Sequence, residues 1–205
     1  MILYGASGHG KVILDILKLQ GEQEISVCDD RATGDFCGIK VERPEEIGGW
    51  DSRNVVVGIG INTVRKKVVE KLDKSITFGH GIHPKAVIAE GVKVGEGTVV
   101  MAGAVINPGA EVGRHCIVNT CASIDHDCIL EDYVHISPNA TLSGNVVVGT
   151  GTHIGSGAVS IQGIRIGKWC TIGAGTVVIR DVPDFSTVVG NPGRIIKRKE
   201  QLDEV

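Results

Sequence analysis

From Ile88 to Val178 an Ile, Val or Leu returns at every sixth position, and only Ser160 breaks the series. A helix repeats at 3.6 residues and a strand at 2, so neither holds one apolar residue in six over such a length; a parallel β-helix does. Glycine recurs three places after the anchor (Gly91, Gly97, Gly103, Gly109, Gly151, Gly157, Gly163, Gly175), where a chain turning a corner uses positive φ. A small or β-branched residue takes the fourth place after the anchor, as at Thr98, Ala104, Ala122, Ala140, Thr152 and Ala158. Three hexapeptides make one triangular coil, so residues eighteen apart form columns such as Val100, Val118, Ile136, Ile154 and Ile172. Strands about 4.8 Å apart make roughly five coils into a prism on the order of 25 Å long. Each coil buries its side chains only against its neighbours, so the ends need caps, and residues 1–82 and 183–205 are available for that. Ser160 reads as a local change of register.

The first 80 residues follow a different pattern. Met1–Tyr4 is a short apolar strand, Gly5–Gly10 a glycine-rich turn and Lys11–Leu19 an amphipathic helix. A second strand, Ile25–Cys28, ends in Asp29-Asp30; a third, Val55–Val57, ends in Gly58-Ile-Gly60, before a helix over Asn62–Leu72. This is a small βαβ unit on a parallel sheet, whose ligands sit at the carboxyl ends of the strands. That places Ser7, Gly8, His9, Asp29, Asp30 and Gly60 around one crevice. The turn fits a P-loop through Lys11, but Val12 stands where a hydroxyl must reach Mg²⁺, which speaks against ATP hydrolysis. It also reads as a reduced dinucleotide fingerprint with an acidic pair placed for a ribose, in a unit large enough for one nucleotide.

Composition narrows the classes. Aromatics are 3 % and glycines 29 of 205 residues, which suits a thin aliphatic prism. A net charge of −3 with mixed signs gives no field for nucleic acid or a membrane surface, and no long apolar run or signal-like start occurs, so a soluble cytoplasmic protein is expected. The basic run Arg194–Lys199 reads equally as the solvated face of a C-terminal helix or as a basic contact to a ligand. None of the six cysteines has metal-ligand spacing, and Cys116, Cys128 and Cys170 fall at the small inward place of their hexapeptides.

The prism carries its polar exceptions between Asn119 and Gly144, where outward positions hold Asn119, Asp125, His126, Asp127 and His135. Asp127 takes a place that most repeats give to glycine. A carboxylate beside an imidazole raises its basicity, which is how a general base near neutral pH is made. His135 and His153, eighteen apart, should stack; as a zinc pair they lack a third ligand.

Ile124-Asp-His-Asp-Cys-Ile129, Tyr133-Val-His-Ile-Ser137 and Leu142-Ser-Gly-Asn145, with the opening Tyr4–Gly10 and the closing Val189–Arg194, resemble the bacterial sugar acyltransferases of the hexapeptide-repeat class. The resemblance spans the chain and lies in the branch that contains the UDP-4-amino-sugar (bacillosamine-type) N-acetyltransferases and the sialic acid O-acetyltransferases. It implies a nucleotide-sugar-binding α/β domain at 1–82, a left-handed β-helix of hexapeptide repeats at 83–182 and a closing segment at 183–205. It also implies a homotrimer with active sites between subunits, and acetyl-CoA as co-substrate, with no metal.

Carried over residue by residue, the resemblance makes His126 the general base and Asp127 the acid that raises its basicity, although the bacillosamine enzymes have Glu there. Ser7, Gly8, His9, Asp29, Asp30, Gly60 and Asn119 would hold the nucleotide-linked amino sugar. His135, Gly144, Ser156 and Ala174 would contact acetyl-CoA, the last two through the main chain. The expected reaction is direct attack of a sugar amine on the thioester, with a backbone N–H such as that of Gly144 on the oxyanion. The alternative is O-acetylation of sialic acid or another sugar; a third reading is a solenoid that binds nucleotide-sugar without catalysis.

Overall fold

The structure is a computed structural model that describes residues 1–72 and 75–200. Two residues of the first expected domain and the last five of the closing segment lie outside the described residues.

From Gly81–Ile82 to Val177–Val178, seventeen two-residue strands follow one another and stack into three parallel sheets. One face carries Val99–Val100, Ile117–Val118, His135–Ile136, His153–Ile154 and Thr171–Ile172 in register eighteen apart. The anchors point inward, and Val100, Val118, Ile136, Ile154 and Ile172 are all buried. Burying each aliphatic side chain in this ladder stabilises the fold by about 1.5–3 kcal/mol. Ser160 keeps the register, paired to Leu142 and Val178, so the expected slip is not there. Its hydroxyl is buried without a hydrogen-bond partner, and its carbonyl instead accepts from Ser143 Oγ at 2.7 Å. A serine is small enough to fill an anchor place without moving the backbone.

The corner residue three places after each anchor has positive φ at all fifteen positions from Gly91 to Gly175. Eight are glycine; His115, Cys121, Asp127, Tyr133, Asn139, Asn145 and Trp169 hold the same conformation with a side chain. Such a residue carries backbone strain of order 1–3 kcal/mol, less for Asn and Asp. Cys116, Cys128 and Cys170 are buried in the aliphatic core as expected, and among the described residues no three His, Cys, Asp or Glu side chains form a metal group.

In the first unit, β1 (Ile2–Tyr4), β2 (Ser26–Cys28), β3 (Gly34–Phe36), β4 (Ile39–Glu42) and β5 (Val55–Val57) form one sheet in the order β3-β4-β2-β1-β5. All neighbours are parallel except the β3–β4 pair. That hairpin is absent from the sequence reading: its two-residue turn, Cys37-Gly38, has φ of 55° and 84°, the left-handed pair that matches strand twist, but Cys at the first place hides the signal. Helix α1 (Gly8–Leu19) starts three residues earlier than the periodicity indicates, because Ser7 caps it by accepting from Gly10 N–H. Helix α2 (Asn62–Lys71) follows β5.

The unit sits on the first face of the prism. Ile13, Leu14, Ile16 and Leu17 of α1 share a core with Val99, Met101 and Ile117, which point outward from the solenoid. Helix α2 docks on a corner: Asn62 Nδ2 donates to the carbonyls of Gly151 and Thr152, and Arg65 donates to those of His115 and Tyr133. At the other end, the basic run is a strand, not a helix. Arg194–Arg198 pairs antiparallel with Ser186–Val189, which itself extends the first face beyond Thr171–Ile172. The β-branched pair Ile195-Ile196 and an open sheet edge favour pairing over a solvated helix. No described helix is long and apolar enough to cross a membrane.

Ile136→Ala deletes the centre of an aliphatic column and should lower stability by about 2–5 kcal/mol, read from denaturant melts; an unchanged midpoint would show that the column is not the core. His115 is buried, stacked 5.3 Å from Tyr133 and edge-on to Phe78 at 4.6 Å. Burial, with Arg65 beside it, pushes its pKa down to about 4. The unfolded chain therefore binds more protons than the folded one between about pH 6.5 and 4, and stability falls as pH falls through that window. The expected midpoint drops over this range, and His115→Phe makes the slope shallower.

Candidate functional site

The parallel register brings the carboxyl ends of β1, β2 and β5 to one edge of the sheet. Gly5 N–H donates to Cys28 O and Gly58 N–H to Tyr4 O, both at 2.7 Å, and Ala6 N–H reaches Asp29 Oδ2 at 2.9 Å. A side chain at Gly10 would drive into the Gly5 carbonyl, so the turn closes this tightly only with glycine there. Ser7 and Gly8 are exposed on the rim, and Asp29, Asp30 and Gly60 complete it.

The acidic pair is engaged by the protein itself. Asp29 accepts from the backbone N–H groups of Ala6, Arg31 and Ala32. Burial raises its pKa, but these bonds and nearby Arg43 outweigh it and hold the carboxyl below the usual range. Asp30 accepts from Tyr4 OH at 2.7 Å and Lys71 Nζ at 3.0 Å, and is also lowered, first by the tyrosine.

Outward on the first face, the column runs Val99, Ile117, His135, His153, Thr171. The apolar half lies under α1; where the column turns to histidine it meets the crevice. His135 Nδ1 is 3.3 Å from Gly60 O and its Nε2 3.1 Å from Asn119 Nδ2. Its ring stacks on His153 at 4.9 Å and lies 6.1 Å from His9, whose Nε2 is buried without a hydrogen-bond partner. His153 Nε2 is 2.7 Å from Ser137 Oγ. Burial first, then the neighbouring imidazole of His153 and Arg65, push His135 down to about 3; burial and Arg65 push His9 to about 4. These rings are neutral at pH 7. Beside them a cavity of about 330 Å³ is lined by Gly60, Asn62, Thr63, His153, Trp169 and Lys199 among others.

His126 and Asp127 stand at a different corner, between the second face, after Ser123–Ile124, and the third, before Ile129–Leu130. Asp127 has φ of 58°, which turns its carboxylate back to His126 Nδ1 at 2.8 Å. Both side chains are more than half exposed. The hydrogen bond that its imidazole donates to Asp127 raises the His126 pKa. Asp125 accepts from Asn107 Nδ2 and from His126 N–H, fixing the turn. Gly144 lies one coil on: a Cβ there would fall 2.5 Å from His126 Nε2.

The fold thus gathers Ser7, Gly8, His9, Asp29, Asp30 and Gly60 at one sheet edge and joins His9 and Gly60 to Asn119 and His135. It sets His126, Asp127 and Gly144 on a separate edge of the same prism. Ser156 and Ala174, eighteen apart and exposed, lie on the edge that also bears Asn119. The sequence reading missed Asn62, Arg65 and Val68; their three-residue spacing puts one buried stripe on α2, with two polar members.

Known families carry both halves. Residues 1–72 match the PglD N-terminal domain, and residues 127–159 match the bacterial transferase hexapeptide (six repeats). A UDP-N-acetylbacillosamine N-acetyltransferase of Bacillus subtilis is 41% identical over 113 residues, 49% of this chain and 50% of that relative, so the match spans about half of its length. The acetyltransferase domain of PglB from Neisseria gonorrhoeae superposes with a TM-score of 0.91 at 38% identity, covering 95% of this chain and 98% of that one. A perosamine N-acetyltransferase mutant from Caulobacter crescentus, solved with CoA and GDP-perosamine, gives 0.90 at 35% identity, with 96% of each chain covered. With near-complete cover at these identities, the chain belongs to the hexapeptide-repeat bacterial sugar acyltransferases.

Proposed function

We propose that the protein transfers the acetyl group of acetyl-CoA to the amine of a nucleotide-linked amino sugar, of the 4-amino-4,6-dideoxy type, in bacterial glycan biosynthesis, with His126 as the general base. The observation that carries the reading is the exposed His126–Asp127 pair. With Nδ1–H donating to the Asp127 carboxylate at 2.8 Å, Nε2 is left as the basic nitrogen, and Gly144 keeps the space in front of it open. A protonated amine has no lone pair for attack, so Nε2 removes a proton as nitrogen approaches the thioester carbonyl. The tetrahedral oxyanion is held by a backbone donor such as Gly144 N–H, and coenzyme A leaves as the thiol. The N-acetyltransferase names of the similar solved proteins favour nitrogen over oxygen as acceptor.

The nucleotide-sugar belongs in the crevice of Ser7, Gly8, Asp29, Asp30 and Gly60, with its sugar end toward His9 and Asn119, and His135 beside them faces the acetyl-CoA thioester. Ser156 and Ala174 offer main-chain contacts to acetyl-CoA along the neighbouring edge. Because His126 and this crevice lie on different sides of one prism, the complete site takes the base of one protomer and the crevice of the next. This is the arrangement of a homotrimer with sites between subunits. Both co-substrates are soluble metabolites, which fits a cytoplasmic enzyme.

Thiol release from acetyl-CoA across UDP-, GDP- and dTDP-linked amino sugars and free sialic acid tests the reading. Release with one amino sugar is expected, with His126→Ala lowering kcat by roughly 10²- to 10⁴-fold at unchanged fold; release with sialic acid alone would move the assignment to O-acetylation. Asp127→Asn should bring the His126 imidazole back down toward its ordinary value of about 6.5 in an NMR titration, and shift the acidic limb of the rate profile with it. A titration unmoved by that change would remove Asp127 from the pair.

A further inference from the structure

Arg65 is the largest fully buried side chain, 1% exposed. Every hydrogen bond recorded from its guanidinium ends on an amide oxygen: Nε on His115 O, Nη1 on Ile59 O and Gly60 O, Nη2 on Tyr133 O and Asn62 Oδ1. A cation buried this way is costly, and an apolar side chain of similar volume often serves stability as well or better. The position of these oxygens is therefore informative. Ile59 and Gly60 form the turn after β5 that walls the crevice, and Gly60 O is shared, 3.3 Å from Arg65 Nη1 and 3.3 Å from His135 Nδ1.

The other side of the His135 ring fixes the proton assignment independently. Asn119 Oδ1 accepts from Thr120 N–H at 2.8 Å, so the Asn119 amide turns its NH₂ to His135, where Nδ2 lies 3.1 Å from Nε2. Nε2 must then accept, and Nδ1 must carry the proton given to Gly60 O. We propose that Arg65 is a positioning residue for His135: by gripping the Ile59–Gly60 turn it presents the Gly60 carbonyl to Nδ1–H, locks that tautomer, and aims an unprotonated Nε2 at Asn119 and the acceptor crevice. Gly60 O favours the Nδ1 proton it accepts, and the other groups facing the ring act against a second one. His153 on one side, His9 on another, the Asn119 NH₂ and the Arg65 charge all oppose a second proton on His135.

The catalytic consequence rests on the proposed acetyl transfer; the tautomer does not. The test is ¹⁵N NMR of histidine-labelled full-length protein, wild type beside Arg65→Met and Arg65→Lys, with circular dichroism as the check on folding. Wild type is expected to show His135 as the neutral Nδ1–H form down to about pH 5. Arg65→Met should show mixed tautomers or protonation above that pH. Its kcat should fall on the order of tenfold to a hundredfold, and Arg65→Lys, which keeps the charge but not the fork, should restore part of both. A folded Arg65→Met protein with His135 still Nδ1–H and neutral overturns the proposal. If that variant does not fold, Arg65→Lys decides alone: a signature identical to wild type overturns it, and a weakened Nδ1–H signature supports it. A wild type that shows the tautomer yet acetylates no amino sugar would sink the proposed function and leave this inference standing.

Discussion

One residue in every six must take the left-handed conformation for the prism to close, and the rest of the molecule is arranged around that requirement. Where nothing else is asked of the corner, glycine meets it at no cost in strain. From His115 to Asn145 six corners in succession carry side chains instead. Aspartate tolerates this conformation better than most residues, so the strain at Asp127 is small for what the turn provides. It bends the carboxylate back onto the preceding imidazole, which a flat strand would send to the opposite face.

The same corners supply the surface on which the α/β unit is held. Backbone carbonyls repeat there every eighteen residues, and α2 meets three successive levels, at His115, Tyr133 and Gly151, with only two side chains, Arg65 and Asn62. With α1 packed on Val99 and Ile117, this fixes the unit lengthwise along the prism. The sheet edge with Ser7 and Gly60 then falls where the outward column changes from valine and isoleucine to His135 and His153. A solenoid repeats its geometry, so a single site needs an outside reference to mark one coil as different from its neighbours. The docked unit is that reference.

The period of six was legible because each anchor's fate depends only on its own coil and the two beside it, so the core, its columns and the inward cysteines followed from spacing alone. The crevice was legible for a similar reason, since parallel strands must bring Tyr4, Cys28 and Val57 to one edge. Other features depend on partners distant in sequence. Arg65 lies in a helix of mostly polar residues, and its buried place depends in part on the carbonyls of His115 and Tyr133, fifty and sixty-eight positions on. The β3–β4 hairpin turns on a left-handed Cys, which has no compositional mark, and the Arg194–Arg198 strand on an open sheet edge that its one β-branched pair, Ile195-Ile196, does not by itself announce. Ser160 shows the converse: a broken pattern that the backbone absorbs without responding.

The two groups of histidines are set in opposite directions by their surroundings. His126 is solvated and paired with a carboxylate, so its proton affinity is raised; His9, His135 and His153 are half-buried near Arg65, and theirs is lowered. Titratable groups whose environments separate their proton affinities mark a division of acid–base labour. A base that collects a proton from an amine needs the first environment. A ring that must accept a hydrogen bond, and add no charge beside an incoming cationic amine, needs the second. Exchanging the two settings would leave the amine protonated next to a positive ring. The separation is therefore as much a condition of the proposed chemistry as the identity of His126 itself.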